Sequence, residues 1–439
     1  MISMIGLIGG LALLTFLVMR GMNLLVVAPL SALFVAVLNG LPLFPQLAAE
    51  GQADFVTGYM DGFAGFITSW YLMFLAGAIF GKVMEDSGAA ESVSNWIVSK
   101  IGMKHAVLAV VLACAVLTYG GVSLFVVAFA VYPMAISLFK EANLPRRFIP
   151  AALAFGSTTF TMTSAGSPEI QNWIPIPYLG TSPYAGWQVS LIVAIFILIL
   201  GQWLLMKMIR KAVAKGEHFV ERESDNKEKR NRLPHPLLSL IPLLAVLVVS
   251  FIFHDSLEQS ALIIALLSGI ITTWLLNRKY FRDFWSAVGD GTMGALIAIG
   301  NTAAVVGFGG VAKVTPAFET AVNFMTDIPG SPLIGGAIAV MVIAGLTGSS
   351  SGGQTIALPI LAPHYLDMGV DAEALHRTVS LSSGTLDSLP HGGYAVTTIR
   401  SICGETHKSA YPSFGVVTVL VPLIGVILAV ILFSLGLGS

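Results

Sequence analysis

KMIRKAVAKGEHFVERESDNKEKRNR, residues 207–232, is the one strongly hydrophilic stretch in an otherwise apolar chain, and it cuts the 439 residues nearly in half. It carries nine Lys/Arg against five Asp/Glu, a net of +4. The positive-inside rule places such a segment in the cytoplasm. The whole chain is 55% apolar and 11% charged, with mean hydropathy +0.83. A soluble domain cannot hide that much apolar surface from water, so lipid must act as the solvent. Residues 21–81 alone contain three acids and no base, room for spans of roughly 20 apolar residues each. The apolar runs are continuous rather than alternating, which predicts helices and not a barrel.

The halves on either side of the connector resemble each other. Asp61-Gly62 recurs as Asp290-Gly291, Gly65 as Gly294, Gly81 as Gly310, and Leu117-Thr118 as Leu346-Thr347, always 229 positions on (290 − 61 and 347 − 118 alike). Gly156-Ser157 answers to Gly384-Thr385 at 228, and the first helix near Ile5 to one beginning near Pro234. Single glycine matches are cheap in a chain with 45 of them. A constant offset is not, and it indicates a duplicated unit.

Charge asymmetry gives the two copies opposite orientations. Arg20 ends the first helix and Lys82, Lys100 and Lys104 follow the third, while the loop around Glu50 and Asp54 has no base. In the second copy Arg278, Lys279 and Arg282 follow the second helix, and the next loop carries Glu319 and Asp327. The expected fold is therefore an all-α polytopic membrane protein of two inverted-topology repeats, 1–206 and 234–439, joined by a cytoplasmic linker at 207–233. Each repeat is expected to hold about five transmembrane helices and one re-entrant hairpin, with both termini periplasmic and the protein in a bacterial inner membrane. The N-terminal stretch has no basic start and no small-residue cleavage site, so a retained helix is expected there.

The hairpins are placed at 105–139, which breaks at Thr118-Tyr119-Gly120-Gly121, and at 329–366, which breaks at 347–354. After each comes a helix interrupted in mid-membrane, 148–173 and 378–400. Broken helices expose N–H groups whose partial positive charge suits a carboxylate. The expected substrate-binding residues are Gly120, Gly121 and Ser123 at the first tip, and Ser157, Thr158 and Thr159 at the first break. The second half contributes Ser349, Ser350, Ser351, Gly352 and Gln354 at its tip, and Gly384, Thr385 and His391 at its break. Small residues also pack membrane helices closely; only their recurrence in four corresponding interruptions points to a chamber for a small organic anion.

Ionisable groups at bilayer depth mark function by default. Asp387 is the only acid between Thr378 and Ile399, with His391 four residues on, and Glu169 is the sole charge between Arg147 and Lys207. These three are the candidates for a coupling proton. His391 is equally suited to a structural bond with a carbonyl, and Asp61 and Asp290 are read as helix caps at the membrane surface.

Other classes are poorly served. Cys114 and Cys403 lie in separate segments with no disulfide framework, redox motif or metal-ligand spacing. Neither a metal nor any other cofactor is expected, and a net charge of −1 gives no sign of nucleic-acid binding. The glycines at 307–310 lack the strand and lysine of a phosphate loop. Ser349 to Ser351 with His391 have no nucleophile-elbow spacing, so an enzyme is not expected.

The two-half plan, the Gly/Ser/Thr breaks, and the run Asp387-Ser388-Leu389-Pro390-His391-Gly392-Gly393, followed by Cys403-Gly404-Glu405-Thr406-His407-Lys408, resemble the gluconate permease family of the ion transporter superfamily. The likeness covers nearly the whole chain. It implies proton-coupled uptake of a small hydroxy-acid at the hairpin tips and broken helices, elevator-like movement, and a homodimer. Where sugar-acid members carry a His-Val-Asn-Asp type run, this chain has Pro390-His391-Gly392-Gly393, which is similar to the 3-hydroxybutyrate branch. A sodium-coupled symporter and a passive anion channel are the alternatives.

Overall fold

The computed structural model describes residues 2–102, 105–222, 232–320 and 331–438. Lys104, Asp327, the centre of the linker and the start of the second hairpin at 329–330 lie outside them. All regular structure among the described residues is helical, as lipid requires, because a backbone N–H or C=O without water must find its partner within its own helix. Seven described helical stretches are long and apolar enough to cross a bilayer, one of them the run His407–Ser434 that joins the last two helices through a π-helical turn.

The first half runs α1 (Ile2–Met19), α2 (Leu24–Leu38), α3 (Phe55–Asp86), α4 (Ala89–Ile101), α5 (Ala106–Tyr119), α6 (Leu124–Glu141), α7 (Ile149–Ala154), α8 (Ile176–Leu179) and α9 (Trp187–Val213). The second runs α10 (Pro236–Leu257), α11 (Ser260–Asn277), α12 (Phe284–Lys313), α13 (Pro332–Thr347), α14 (Ser350–Asp367), α15 (Ala372–Leu386), α16 (Gly393–Val396), α17 (His407–Gly415) and α18 (Val421–Ser434). In each half two helices precede a very long one, α3 or α12, and a hairpin and an interrupted helix come after it. Helix α4, amphipathic by its sequence, intervenes between α3 and the first hairpin.

The caps of the long helices correct one expectation. Asp54 begins α3 by accepting the Thr57 N–H at 3.0 Å, and Asp283 begins α12 by accepting the Trp285 N–H at 2.9 Å. They are 229 apart (283 − 54). Asp61 and Asp290 lie about two turns inside the same helices, where every N–H already has a carbonyl partner, so they cap nothing.

Helices α3 and α12 pack along their lengths in opposite directions. Gly58 meets Gly310, Gly62 meets Val306, and Ile79 meets Gly291, one number rising as the other falls. A Cβ on Gly310 would lie 2.2 Å from the Gly58 carbonyl oxygen, and one on Gly62 2.6 Å from that of Val306. Only glycine lets the two backbones approach this closely. The Tyr59 hydroxyl adds a bond to the Ala304 carbonyl at 3.0 Å.

Each hairpin rests on the long helix of its own half. Val126 of α6 packs on Gly81 of α3, and Ile356 of α14 on Gly309 of α12. On the connector side, residues after α9 fold back over the ends of α6 and α17. Arg147 donates from Nε and Nη2 to both Glu217 oxygens at 2.6 and 2.9 Å, and Arg222 pairs with Glu405 at 2.7 Å. The Arg147 bonds hold the Glu217 carboxyl below the usual carboxylate range.

Candidate functional site

The two breaks differ in how their hydroxyls are used. After α7 the chain widens into a π-helical turn, Phe155–Thr159, and its hydroxyls are spent on backbone carbonyls outside the turn. Ser157 donates to the Leu153 carbonyl at 2.7 Å, Thr158 to that of Ala154 at 2.9 Å, and Thr159 to that of Val417 at 2.9 Å. Their protons are committed to backbone, so toward a substrate these three residues offer lone pairs only. Ser157 already uses one on Tyr394, whose hydroxyl is 2.7 Å away and must be the donor.

The first tip is seated on the scaffold. Gly120 lies against Leu243 of α10, and Gly121, at φ +91°, against Val246. A side chain at Gly120 would collide with Leu243 and one at Gly121 would crowd Val246, and Gly121 also needs the left-handed backbone that glycine adopts freely. Ser123 begins α6 without a side-chain capping bond.

The second tip is polar and crowded. Gly348, at φ +63°, ends α13, and Ser349 caps α14 by accepting the Gly352 N–H at 3.2 Å. Ser349 and Ser351 hydroxyls lie 3.3 Å apart. From the first break Gln171 reaches across and donates its amide to the Ser350 hydroxyl at 2.9 Å, while Gln354 donates to Ser383 of α15 at 2.7 Å. The carbonyl oxygens of both glutamines are sealed from solvent without a partner. Unsatisfied acceptors of this kind are costly inside a protein and call for a donor.

Helix α15 loses its helical geometry at Gly384 (φ −87°, ψ 20°) and stops at Asp387. Thr385 donates to the Ser382 carbonyl at 2.6 Å. The Asp387 carboxylate accepts the Ser388 hydroxyl at 3.0 Å and also interacts with the Ser350 hydroxyl. The chain then doubles back so tightly that a Cβ on Gly392 would sit 2.1 Å from the Asp387 carbonyl oxygen. Gln171, Ser350 and Asp387 thus join the first break, the second tip and the second break.

His391 faces the backbone. Its Nε2 is 2.8 Å from the Gly345 carbonyl oxygen; a carbonyl only accepts, so Nε2 carries the proton and the ring staples the break to α13. Glu169 lies in the loop of Gln171, two residues before it, half-buried.

Several members of this cluster escape sequence reasoning. Gln171, Ser383 and Ser388 lie inside the expected breaks but among many polar neighbours. Arg377 stands one residue before the expected start of the second break. It is fully buried and donates to Ala185 O at 2.9 Å, Thr163 O at 2.6 Å, Asn172 Oδ1 at 2.7 Å and Pro183 O at 3.2 Å.

The profile of the citrate transporter family, CitMHS, matches residues 13–382. A Bacillus subtilis protein described as the uncharacterized transporter YxjC is 36% identical, over 93% of this chain and 94% of its own length. A high-affinity gluconate transporter of Escherichia coli is 30% identical over 34% of this chain and 31% of its own. In structure the chain is similar to the Alcanivorax borkumensis YdaH transporter, whose topology is described as unusual. The TM-score is 0.51 at 12% identity, covering 96% of this chain and 98% of that one; the likeness concerns the fold.

Proposed function

We propose, starting from the fact that the chain belongs to the citrate transporter family and is a membrane transporter, that it imports a small hydroxy-monocarboxylate together with a proton. The observation that carries this reading is the meeting of Gln171, Ser350 and Asp387 at the N-terminus of α14. First-turn N–H groups and the Ser351 hydroxyl suit a carboxylate, while the Ser350 hydroxyl is already held between Gln171 and Asp387. The unpartnered carbonyls of Gln171 and Gln354 suit a substrate hydroxyl.

A single negative charge fits best. Arg377, the cation beside the site, spends its N–H groups on four neutral oxygens and keeps its one positive charge, which offsets one substrate charge and not several. The best candidate is 3-hydroxybutyrate, then gluconate-like sugar acids. Coupling follows from repulsion: a substrate carboxylate beside an ionised Asp387 places two like charges in low dielectric, and one proton shared by the site removes the conflict. Binding of anion and proton are thereby linked.

The counter-running α3 and α12 favour two halves of opposed orientation, each with its own hairpin and break, in a bacterial inner membrane with both termini periplasmic. Elevator movement would carry the hairpins and breaks past α3 and α12, which form the fixed part of a homodimer. The test is uptake by proteoliposomes with an imposed proton or sodium gradient. Accumulation of 3-hydroxybutyrate driven by an inward proton gradient is expected; accumulation driven only by sodium would replace the coupling ion, and equilibration without accumulation would indicate a channel.

A further inference from the structure

A cavity of about 770 Å³ opens beside the first hairpin tip, between α9 and α10. This is the size of an ordinary small-molecule site, ~300–1,000 Å³. Its walls are apolar. Leu240, Leu243, Leu244, Leu247 and Phe251 line it from one stripe of α10. Trp187, Leu191 and Ala194 line it from a stripe of α9, and Tyr119, Gly120 and Phe160 close its inner side.

The mouth faces sideways. Trp187, Leu191, Leu244 and Phe251 are all more than half exposed on two helices that span the bilayer. Water is absent at that depth, so what enters from the side is hydrocarbon. The dimensions agree: Leu240 to Phe251 is 11 residue steps (251 − 240), or roughly 16 Å of helix rise. That is about half of a ~30 Å hydrocarbon core, the reach of one leaflet's chain.

One end carries the features of a membrane surface. The Tyr184 ring packs on Phe251 at 5.5 Å and on His254 at 4.9 Å, next to Trp187. His254 contacts Asp255 at 2.8 Å, and the Asp255 side chain is 87% exposed within the last turn of α10. Aromatic rings and charges gather at headgroup level. The other end, at Leu240 and Gly120, abuts the first tip.

We propose that this cavity is a binding site for one acyl chain of a bilayer phospholipid, its headgroup level with His254 and Asp255. The chain fills the gap between the scaffold helix α10 and the tip that the transport reading sets in motion, so a lipid wedge is part of that sliding surface. The site itself rests only on the membrane placement of α9 and α10.

Trp187 at the mouth reports occupancy. The protein is reconstituted in phosphatidylethanolamine and phosphatidylglycerol vesicles whose chains carry mid-chain bromines, and Trp187 emission is taken as the difference between the wild type and Trp187→Phe. Strong quenching is expected. It should fall at least twofold in Ala194→Phe, which fills the cavity, and in Leu244→Gln, which makes its exposed wall polar. Mass spectrometry of the delipidated wild type should retain a phospholipid that both variants lose. Unquenched Trp187, or equal quenching in all three proteins, overturns the proposal, the latter by showing surface lipid alone. Relief of quenching by added 3-hydroxybutyrate would give the cavity to the substrate instead.

Discussion

Arg377→Met severs the strongest tie between the two breaks. The guanidinium is fully buried and holds four oxygens of the 163–185 loop, at 2.6 to 3.2 Å. Methionine keeps the length of the side chain but donates nothing. Each of the four orphaned neutral acceptors costs about 1–3 kcal/mol, and removing the ion returns several kcal/mol of its own burial penalty, so the net loss is about 3–5 kcal/mol. A total stability of about 5–15 kcal/mol makes that a large fraction. Arg377→Lys should lose less, about 1–3 kcal/mol, because a compact ammonium has three donors for four oxygens in a fork geometry. Equilibrium unfolding in detergent measures both, with Trp173 as the local reporter, since its ring is buried and its Nε1 donates to Ser167 O at 3.1 Å in the same loop. An Arg377→Met protein within about 1 kcal/mol of the wild type would refute the reasoning, as that is the scale of an ordinary substitution.

Gly310→Leu should separate α3 from α12, because a Cβ would already meet the Gly58 carbonyl at 2.2 Å; a loss of about 1–3 kcal/mol or more is expected in the same unfolding assay. Gln171→Leu should raise KM for uptake by about tenfold, corresponding to the loss of ~1.4 kcal/mol of hydrogen bonding, whereas an unchanged KM would remove Gln171 from the site. Gln46→Cys and Lys279→Cys, in exposed loops that precede α3 and α12, should react with an impermeant maleimide from opposite faces of the membrane; Cys114 and Cys403 are buried and give a low background. Labelling of both from one face would mean that the halves point the same way.

The all-helical membrane fold was legible because membrane helices leave long charge-free runs. The offset of 229 read from Gly81 and Gly310 also lands on the caps Asp54 and Asp283. Those caps were missed in favour of Asp61 and Asp290 because composition cannot tell a first turn from a third. The interruptions at Gly120-Gly121 and Gly348-Ser349 lie between α5 and α6 and between α13 and α14. The partners were not legible. That Ser157 serves its own helix while Ser350 serves Gln171 depends on which way each hydroxyl turns, and that depends on packing between segments 179 residues apart in the second case. Arg377 was passed over for the same reason: nothing local says that its four acceptors come from a loop nearly 200 residues earlier.

The role of Asp387 is tested most directly by separating exchange from accumulation in Asp387→Asn proteoliposomes. Asparagine keeps the shape and can still accept the Ser388 hydroxyl, but carries no titratable proton. Wild-type protein should accumulate 3-hydroxybutyrate about tenfold for each unit of inward pH gradient, the equivalent of ~1.4 kcal/mol per proton. The variant is expected to exchange internal for external substrate and to accumulate none. Tenfold accumulation by Asp387→Asn would place the coupling proton elsewhere and contradict the mechanism.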